Sequence, residues 1–216
     1  MQITWYGQRC FKIQTKPKRG EKAVTIITDP FINDIGLRPP QGQSDIITFS
    51  TVTLAEKQKK NKKNQAFIID SAGEYSLKGV TIEGIESFQD EQELKGAGRN
   101  NIFVIKSEDI SLCHLGQLGE DLTEKQIETI GAVDVLMIPV GRQLSIKKIK
   151  NIIGQLEPAI IIPMDYKIKG LQEKVESCDT FCQEFGGNQK EARDKLSLKA
   201  NDLKDLENNV VILKRS

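Results

Sequence analysis

Residues 133–167 read VDVLMIPVGRQLSIKKIKNIIGQLEPAIIIPMDYK, and the fold class can be deduced from this stretch. The runs at 133–139 and 159–163 are short and rich in valine and isoleucine, as buried strands are. Between them, residues 144–156 repeat leucine and isoleucine at helical spacing, which predicts a helix with one apolar stripe. The alternation of strand and helix predicts an α/β fold.

Further β-rich runs fill the first half of the chain. They lie at 2–6, 10–15, 23–28, 45–50, 66–70, 79–86 and 101–106, and one more lies at 209–214. A helix is predicted over 122–130, because Thr123 stands three residues before Gln126, the spacing of a capping box. We expect a single domain over residues 1–216, with two mixed β-sheets and helices outside them. A chain of 216 residues with 38% hydrophobic residues can bury such a core.

The composition argues against several classes of partner. Lys and Arg number 31 and Asp and Glu 30, so the net charge of +1 gives no general attraction to nucleic acid or to an anionic membrane. No apolar run approaches the roughly 18 residues of a membrane-spanning helix. The sequence begins with a strand-like run rather than a signal peptide. We therefore expect a cytoplasmic protein with no membrane segment.

The four cysteines do not indicate a disulfide framework. Cys10 and Cys113 stand in apolar strand contexts and are expected to be small core residues. Cys178 and Cys182 are four residues apart, which places them on one face of a predicted helix. We expect this pair to pack against the core, and the alternative is a redox-active pair or a soft-metal site.

Several segments occur in the order and spacing of the metallo-β-lactamase fold. They are MQITWYGQRCFKIQT (1–15), TDPF (28–31), SAGEYSLKGVTIEGIESFQDE (71–91), LCHLGQLGE (112–120), VDVLMIPVG (133–141) and IIPMDYK (161–167). The chain resembles cytoplasmic Zn-dependent hydrolases of this superfamily, in particular the branch that includes the L-ascorbate-6-phosphate lactonases. The resemblance runs from residue 1 to about residue 214 and implies an αββα sandwich. It also implies that Asp29, in the TDPF segment, ties neighbouring backbone amides through its carboxylate.

In the enzymes that the chain resembles, histidines and aspartates hold two zinc ions. The positions that correspond to those seven ligands carry other residues here, namely Thr51, Thr53, Ala55, Glu56, Gln89, Gln117 and Asp165. The first zinc site would be lined by Thr51, Thr53 and Gln89, which are neutral groups that hold zinc poorly. We therefore expect a cavity without zinc and without any other cofactor. The second site would retain the carboxylates of Glu56 and Asp165, so a magnesium or calcium ion there is the alternative.

The sequence leaves three hypotheses for the function, and the first two follow from these substitutions. The leading hypothesis is a degenerate, non-hydrolytic binding or assembly protein, whose partner is a small molecule, another protein or a second copy of the chain. The alternative is a hydrolase, acting as a lactonase, phosphoesterase or nuclease, in which Glu56 and Asp165 divide acid and base roles or hold one cation. His114, the only histidine, is expected to be structural, with proton transfer near the cavity as its alternative role. No residue stands out as certainly catalytic.

The third function is that of a nucleic-acid accessory protein, and it depends on basic residues. Lys57, Lys59, Lys60, Lys62 and Lys63 lie close together in the sequence, and they form either a solvated surface or a basic lip for a polyanion. Arg9, two residues after Gly7, is expected near the rim of the cavity, where it is a candidate for binding a phosphate or a carboxylate. The near-neutral net charge argues against nucleic acid as the partner.

Overall fold

The structure is a computed structural model that describes residues 1–17, 22–51, 66–90, 98–142 and 144–216. Several of the positions discussed above lie outside these ranges, namely Thr53, Ala55, Glu56 and the five lysines Lys57, Lys59, Lys60, Lys62 and Lys63. The candidate hard-cation pair and the candidate basic lip therefore remain predictions.

Strands make up most of the regular structure in the described ranges. In chain order they are β1 (Gln2–Gly7), β2 (Cys10–Thr15), β3 (Val24–Thr28), β4 (Ile46–Thr48), β5 (Phe67–Ile69), β6 (Gly73–Leu77), β7 (Val80–Phe88), β8 (Arg99–Ser107), β9 (Ile110–His114), β10 (Val135–Pro139), β11 (Ile160–Met164), β12 (Leu196–Ser197) and β13 (Asn209–Val210). The α-helices are α1 (Glu124–Ile130), α2 (Ile146–Leu156) and α3 (Asp179–Phe185).

The strands form two mixed sheets. The first has the order β12-β1-β2-β3-β4-β5, with antiparallel pairing from β12 to β3 and parallel pairing from β3 to β5. The second has the order β13-β11-β10-β9-β8-β7-β6, with parallel pairing from β13 to β9 and antiparallel pairing from β9 to β6. Two mixed sheets flanked by a few helices match the predicted sandwich.

The hydrophobic core lies between the sheets and under the helices. Along β1, buried residues alternate with half-buried ones, because successive side chains of a strand point to opposite faces. All residues of β10 and β11 are buried, as expected for parallel strands that are covered on both faces. The core therefore unites residues from both sheets, such as Trp5, Phe11 and Phe103.

The predicted helices are present, with small shifts at their ends. At the start of α1, Thr123 accepts a hydrogen bond from the backbone of Gln126, and the Gln126 side chain accepts one from the backbone of Thr123. This reciprocal pair confirms the capping box. The helix predicted over 144–156 begins at Ile146, because Ser145 caps it in an extended conformation. No helix in the described ranges is long and apolar enough to cross a membrane.

The sequence patterns missed β6 and overestimated β13. Most side chains of β6 are exposed, so the strand lacks the apolar alternation that marks a half-buried strand. The run at 209–214 pairs regularly with β11 only at Asn209 and Val210. Further along, Leu213 forms an isolated bridge with Arg193.

Candidate functional site

The ends of strands from both sheets meet at one edge of the sandwich. Asp29 follows β3, Arg142 lies shortly after β10, and Asp165 follows β11 directly. His114 is the last residue of β9, and Arg9 lies in the turn between β1 and β2. Since the carboxyl ends of parallel strands share one edge of a sheet, this convergence is where a mixed or parallel fold places a site.

Arg9 lies at the centre of this edge and is buried. Its Nη1 donates to Asp165 Oδ2 at 2.6 Å, and its Nε lies 3.5 Å from Asp29 Oδ2. Burial alone would lower the pKa of Arg9, but the charges of Asp165 and Asp29 outweigh burial and raise it. The guanidinium is therefore a permanent cation inside the protein, and the carboxylates that it binds belong to the protein itself.

Arg142 and Glu173 extend this cluster toward the surface. Arg142 Nε donates to Asp165 Oδ2 at 2.9 Å, and Arg142 Nη2 donates to Glu173 Oε2. The side-chain amide of Gln8 donates to the same Glu173 oxygen at 2.9 Å, while the backbone N–H of Asp165 donates to the Gln8 carbonyl at 3.1 Å. These contacts close a ring, and we call Gln8, Arg9, Arg142, Asp165 and Glu173 the ionic network.

The backbone around the ionic network is strained. Gln8, Asp29 and Asp165 have φ angles of 51°, 38° and 57°, in the left-handed region that non-glycine residues seldom adopt. Gly141, which precedes Arg142, must be glycine for another reason: a Cβ there would lie 2.5 Å from the Asp165 carbonyl oxygen. Strain that is maintained at several neighbouring positions is characteristic of functional sites.

His114 links the ionic network to the other half of the edge. The backbone N–H of Gly116 donates to Nδ1 at 3.2 Å, so Nε2 carries the proton and donates to the Arg9 carbonyl at 2.9 Å. Burial lowers the pKa of His114, although the nearby Asp29 charge opposes the shift. The imidazole is therefore neutral at pH 7, and both ring nitrogens are engaged.

Neutral side chains fill the other half of the edge. Asn100 Nδ2 donates to Ser87 Oγ at 2.8 Å and to the Leu115 carbonyl at 2.9 Å, while its Oδ1 accepts from the Gln117 backbone at 2.8 Å. Gln89 Nε2 donates to the Arg99 carbonyl at 3.2 Å. We call Ser87, Gln89, Asn100 and Gln117 the amide network.

Asp29 and Ser50 tie the two networks to the sheet that contains β3 and β4. The backbone N–H of Ser50 donates to Asp29 Oδ1 at 2.6 Å, and the Ser50 hydroxyl donates to Asp29 Oδ2. The prediction that the Asp29 carboxylate binds neighbouring amides is confirmed. Gly116 packs against the same point with φ at +61°, and a Cβ there would lie 2.5 Å from Ser50 Cβ. Side chains are excluded here because the two sheets approach closely.

Comparison with known proteins identifies the family. The family model described as "Beta-lactamase superfamily domain" matches residues 2–165. A Thermotoga maritima crystal structure, described as a candidate Zn-dependent hydrolase of the metallo-β-lactamase superfamily, is 34% identical, with a TM-score of 0.77. That similarity covers 98% of this chain and 97% of the Thermotoga chain. The chain belongs to the metallo-β-lactamase superfamily.

More distant solved structures share the fold alone. A metallo hydrolase from Ignicoccus hospitalis is 15% identical with a TM-score of 0.63, over 100% of this chain and 95% of that one. The short form of human tRNase Z is 6% identical with a TM-score of 0.53, over 76% of this chain and 92% of that one. Among curated proteins, none matches the chain significantly.

The described residues do not fit the zinc centre that membership of the metallo-β-lactamase superfamily implies. They contain no group of three or more His, Cys, Asp and Glu residues that could hold a metal ion. Asp165 Oδ2 already accepts from two guanidinium groups, whose charges would repel a divalent cation. His114 offers no free lone pair, and the amides of Gln89 and Gln117 are weak ligands for zinc.

The structure brings Arg9, His114 and Asp165 together at this edge. Thr51 is buried directly after Ser50, and Gln89 and Gln117 are half-buried in or beside the amide network. Sequence reasoning missed Gln8, Arg142 and Glu173. A signal for Arg142 was present, because an arginine shortly after the buried strand β10 lies at the same sheet edge as Asp165.

Cys10 directly follows Arg9, but no cysteine is a member of the ionic network. Cys10 and Cys113 are buried, as predicted. Cys178 and Cys182 are side by side at the start of α3, with their Sγ atoms 3.4 Å apart. Burial, together with the neighbouring Cys182, raises the pKa of Cys178, so its thiol is protonated and poorly reactive at neutral pH.

Proposed function

We propose that this chain is a non-hydrolytic binding protein that uses the metallo-β-lactamase fold without its catalytic metals. One observation supports the proposal above all others: Asp165 is paired with Arg9 and Arg142 instead of being free to bind a metal. A carboxylate with two guanidinium groups on one oxygen is a poor zinc ligand, because their positive charges repel a further cation.

On this proposal the chain folds without zinc, and the Arg9 guanidinium supplies the reason. In a zinc enzyme, the metal neutralises the carboxylates that converge on the site. Here the Arg9 guanidinium lies among Asp29 and Asp165 and supplies that positive charge permanently. On this proposal, the internal guanidinium holds the carboxylates in place where a metal ion would otherwise do so.

A hydrolase is the second candidate, and the similarity to the Thermotoga protein favours it. That protein is described as a candidate Zn-dependent hydrolase and is 34% identical to this chain. For this candidate to be right, Asp165 would have to leave its arginine partners and act together with Glu56.

A hydrolysis panel separates the two candidates. Lactone, phosphomonoester, phosphodiester and thioester substrates are incubated with the protein in the presence and absence of added zinc, magnesium or calcium. We expect turnover no faster than that of an Asp165→Asn variant. The matched control is Glu184→Gln, which alters an exposed carboxylate that pairs only with Lys150 on the surface.

The result that contradicts the proposal is metal-dependent turnover that Asp165→Asn abolishes and Glu184→Gln retains. Such a result would make Asp165 a member of an active site, whatever its partners are in the resting protein.

A further inference from the structure

Two buried oxygen atoms of the ionic network have no partner. Among the residues that the structure describes, neither Gln8 Oε1 nor Asp165 Oδ1 has a hydrogen-bond donor within reach. Gln8 is 5% exposed and Asp165 is 0% exposed, so bulk water does not solvate these atoms freely. A buried acceptor without a donor costs about 1–3 kcal/mol, and native proteins seldom leave two of them side by side.

Both atoms border the same ring of contacts. Asp165 Oδ1 belongs to the carboxylate whose other oxygen binds Arg9 and Arg142. Gln8 Oε1 belongs to the amide whose nitrogen binds Glu173. Because Gln8 and Asp165 are also joined through their backbones at 3.1 Å, the two free acceptors lie on neighbouring residues of one small site.

The charges around this site favour a ligand with donors. Within the ionic network, Arg9 and Arg142 balance Asp165 and Glu173, and the adjoining carboxylate of Asp29 brings the net charge of the site to −1. Each guanidinium in the network binds a carboxylate of the protein, although Arg9 Nε makes no hydrogen bond and lies 3.5 Å from Asp29 Oδ2. One carboxylate oxygen and one amide oxygen, by contrast, have neither a hydrogen bond nor an ionic partner of their own. Two acceptors thus stand against one donor, Arg9 Nε, which already has the Asp29 carboxylate beside it, so the larger unmet demand is for N–H groups.

We propose that the ionic network is a binding site for a small ligand that carries a protonated amine or a guanidinium group. Its N–H groups would donate to Asp165 Oδ1 and Gln8 Oε1, and its charge would offset the net charge of the network and Asp29 together. The inference rests on the proposed function, since a metal ion bound to Asp165 would occupy the same oxygen.

Two other classes of ligand fit less well. A phosphate or carboxylate would have to displace Asp165 or Glu173 from Arg142, because no guanidinium in the network is unpaired. A divalent cation needs several oxygen ligands in close contact, and the two guanidinium groups on Asp165 would repel it. A monovalent donor cation is the class that uses the free atoms and keeps the existing pairs.

The exposure of the network indicates how a ligand would enter. The side chains of Arg9 and Asp165 are 10% and 0% exposed and form the inner wall. Those of Arg142 and Glu173 are 19% and 39% exposed and form the outer wall. Glu173 is the most exposed of these four side chains, so a ligand would approach from the side of Glu173.

The experiment is a binding titration of the full chain in EDTA, with methylammonium chloride and guanidinium chloride at constant ionic strength. Sodium chloride serves as the ionic control, and phosphate and acetate serve as anionic probes. We expect saturable binding by calorimetry with one of the cationic probes. At about ten times its Kd, that probe should raise Tm by roughly 3–6 °C.

Variants assign the binding to the network. Asp165→Asn should abolish the saturable signal, and Gln8→Met should weaken it about tenfold by removing one acceptor without removing a charge. Gln8→Met leaves the buried Arg9 and Asp165 pair in place, so it keeps the test valid if Asp165→Asn folds poorly. Glu184→Gln, on an exposed surface pair, should bind as the wild type does.

Three outcomes overturn the inference: no saturable binding of either cation, cation binding that survives in Gln8→Met and Asp165→Asn, or tighter binding of the anionic probes. Metal analysis of the same sample distinguishes the two proposals. Stoichiometric zinc would refute the proposed function itself, whereas metal-free protein that binds no amine would refute only this inference.

Discussion

The two halves of the candidate site are built in different ways. In the amide network, neutral side chains bind one another and the backbone, and Asn100 satisfies all but one of its hydrogen-bonding positions. In the ionic network, five charged or polar side chains are held close together and still leave two buried acceptors free. The amide network resembles ordinary core polar packing, whereas the ionic network retains the features of a binding site.

This difference has an energetic consequence. A neutral network whose hydrogen bonds are made contributes modestly to the free energy of unfolding, and this contribution changes little with pH or salt. A buried ion pair contributes little net stability when it is intact, but the protein is strongly destabilised when one partner is removed. The two halves should therefore respond to mutation in different ways.

The largest effect is expected for Asp165→Asn. The substitution leaves the buried Arg9 guanidinium without its main counter-ion, so the free energy of unfolding should fall by about 3–5 kcal/mol. Asparagine tolerates the left-handed backbone at this position, which separates the loss of charge from backbone strain. Chemical denaturation at pH 7 measures the effect.

A second substitution checks this explanation. Arg9→Met combined with Asp165→Asn should restore part of the stability. Both charges of the buried pair are then absent, so neither is left without a partner. Additive losses in the double variant would mean that the two residues act independently.

A smaller effect is expected in the amide network. Asn100→Ala removes three hydrogen bonds and leaves the Ser87 hydroxyl and the Leu115 carbonyl less well satisfied, at a cost of about 1–3 kcal/mol. The loss should be the same at low and high salt, because no charge is involved. A strong salt dependence of the Asn100→Ala effect would show that the amide network is coupled to the charges of the ionic network.

The pH dependence of stability just below pH 6.5 should come from His114. The pKa of His114 is lowered in the folded protein, so below pH 6.5 the unfolded chain takes up a proton that the folded chain does not. Stability is therefore fully present above pH 6.5 and should fall by up to about 1.4 kcal/mol per pH unit below it.

His114→Gln tests this assignment, because glutamine has no charge to gain and can still donate to the Arg9 carbonyl. The free energy of unfolding of the variant should not change with pH just below pH 6.5. The carboxyls with lowered pKa values, Asp45 and Glu108, affect stability only at lower pH. An unchanged slope in His114→Gln would assign the pH dependence to some other group.

The smallest effect is expected for the surface pair of Lys150 and Glu184. Both side chains are solvated, with 54% and 40% exposure, so Glu184→Gln should change the free energy of unfolding by no more than about 0.5 kcal/mol. The contrast with Asp165→Asn measures what burial adds to an ion pair. A loss comparable to that of Asp165→Asn would mean that this surface pair matters far more than its exposure indicates.

Local patterns predicted much of the fold. The capping box at Thr123 and the strand, helix, strand order of 133–167 depend on neighbours in the sequence, and both are present. The exposed strand β6 escaped prediction because its side chains carry no apolar alternation. Boundaries shifted where the chain leaves a sheet to form the site, as at Phe49 after β4.

The site itself could be predicted only in part. The resemblance indicated Gln89, Gln117 and Asp165, because a family motif fixes those positions. It did not indicate what Asp165 would bind, since Arg9 lies 156 residues away in sequence. Ion pairs of that separation depend on the packing of both sheets, and no local pattern encodes them.

The central claim is that an internal guanidinium has replaced the metal, and metal analysis combined with thermal unfolding tests it most directly. The protein is purified without chelator from zinc-supplemented cells, its metal content is measured, and its Tm is determined with and without excess EDTA. The claim predicts far less than one zinc per chain and an unchanged Tm, because Arg9 already supplies the positive charge. Stoichiometric zinc together with a large fall of Tm in EDTA would contradict it.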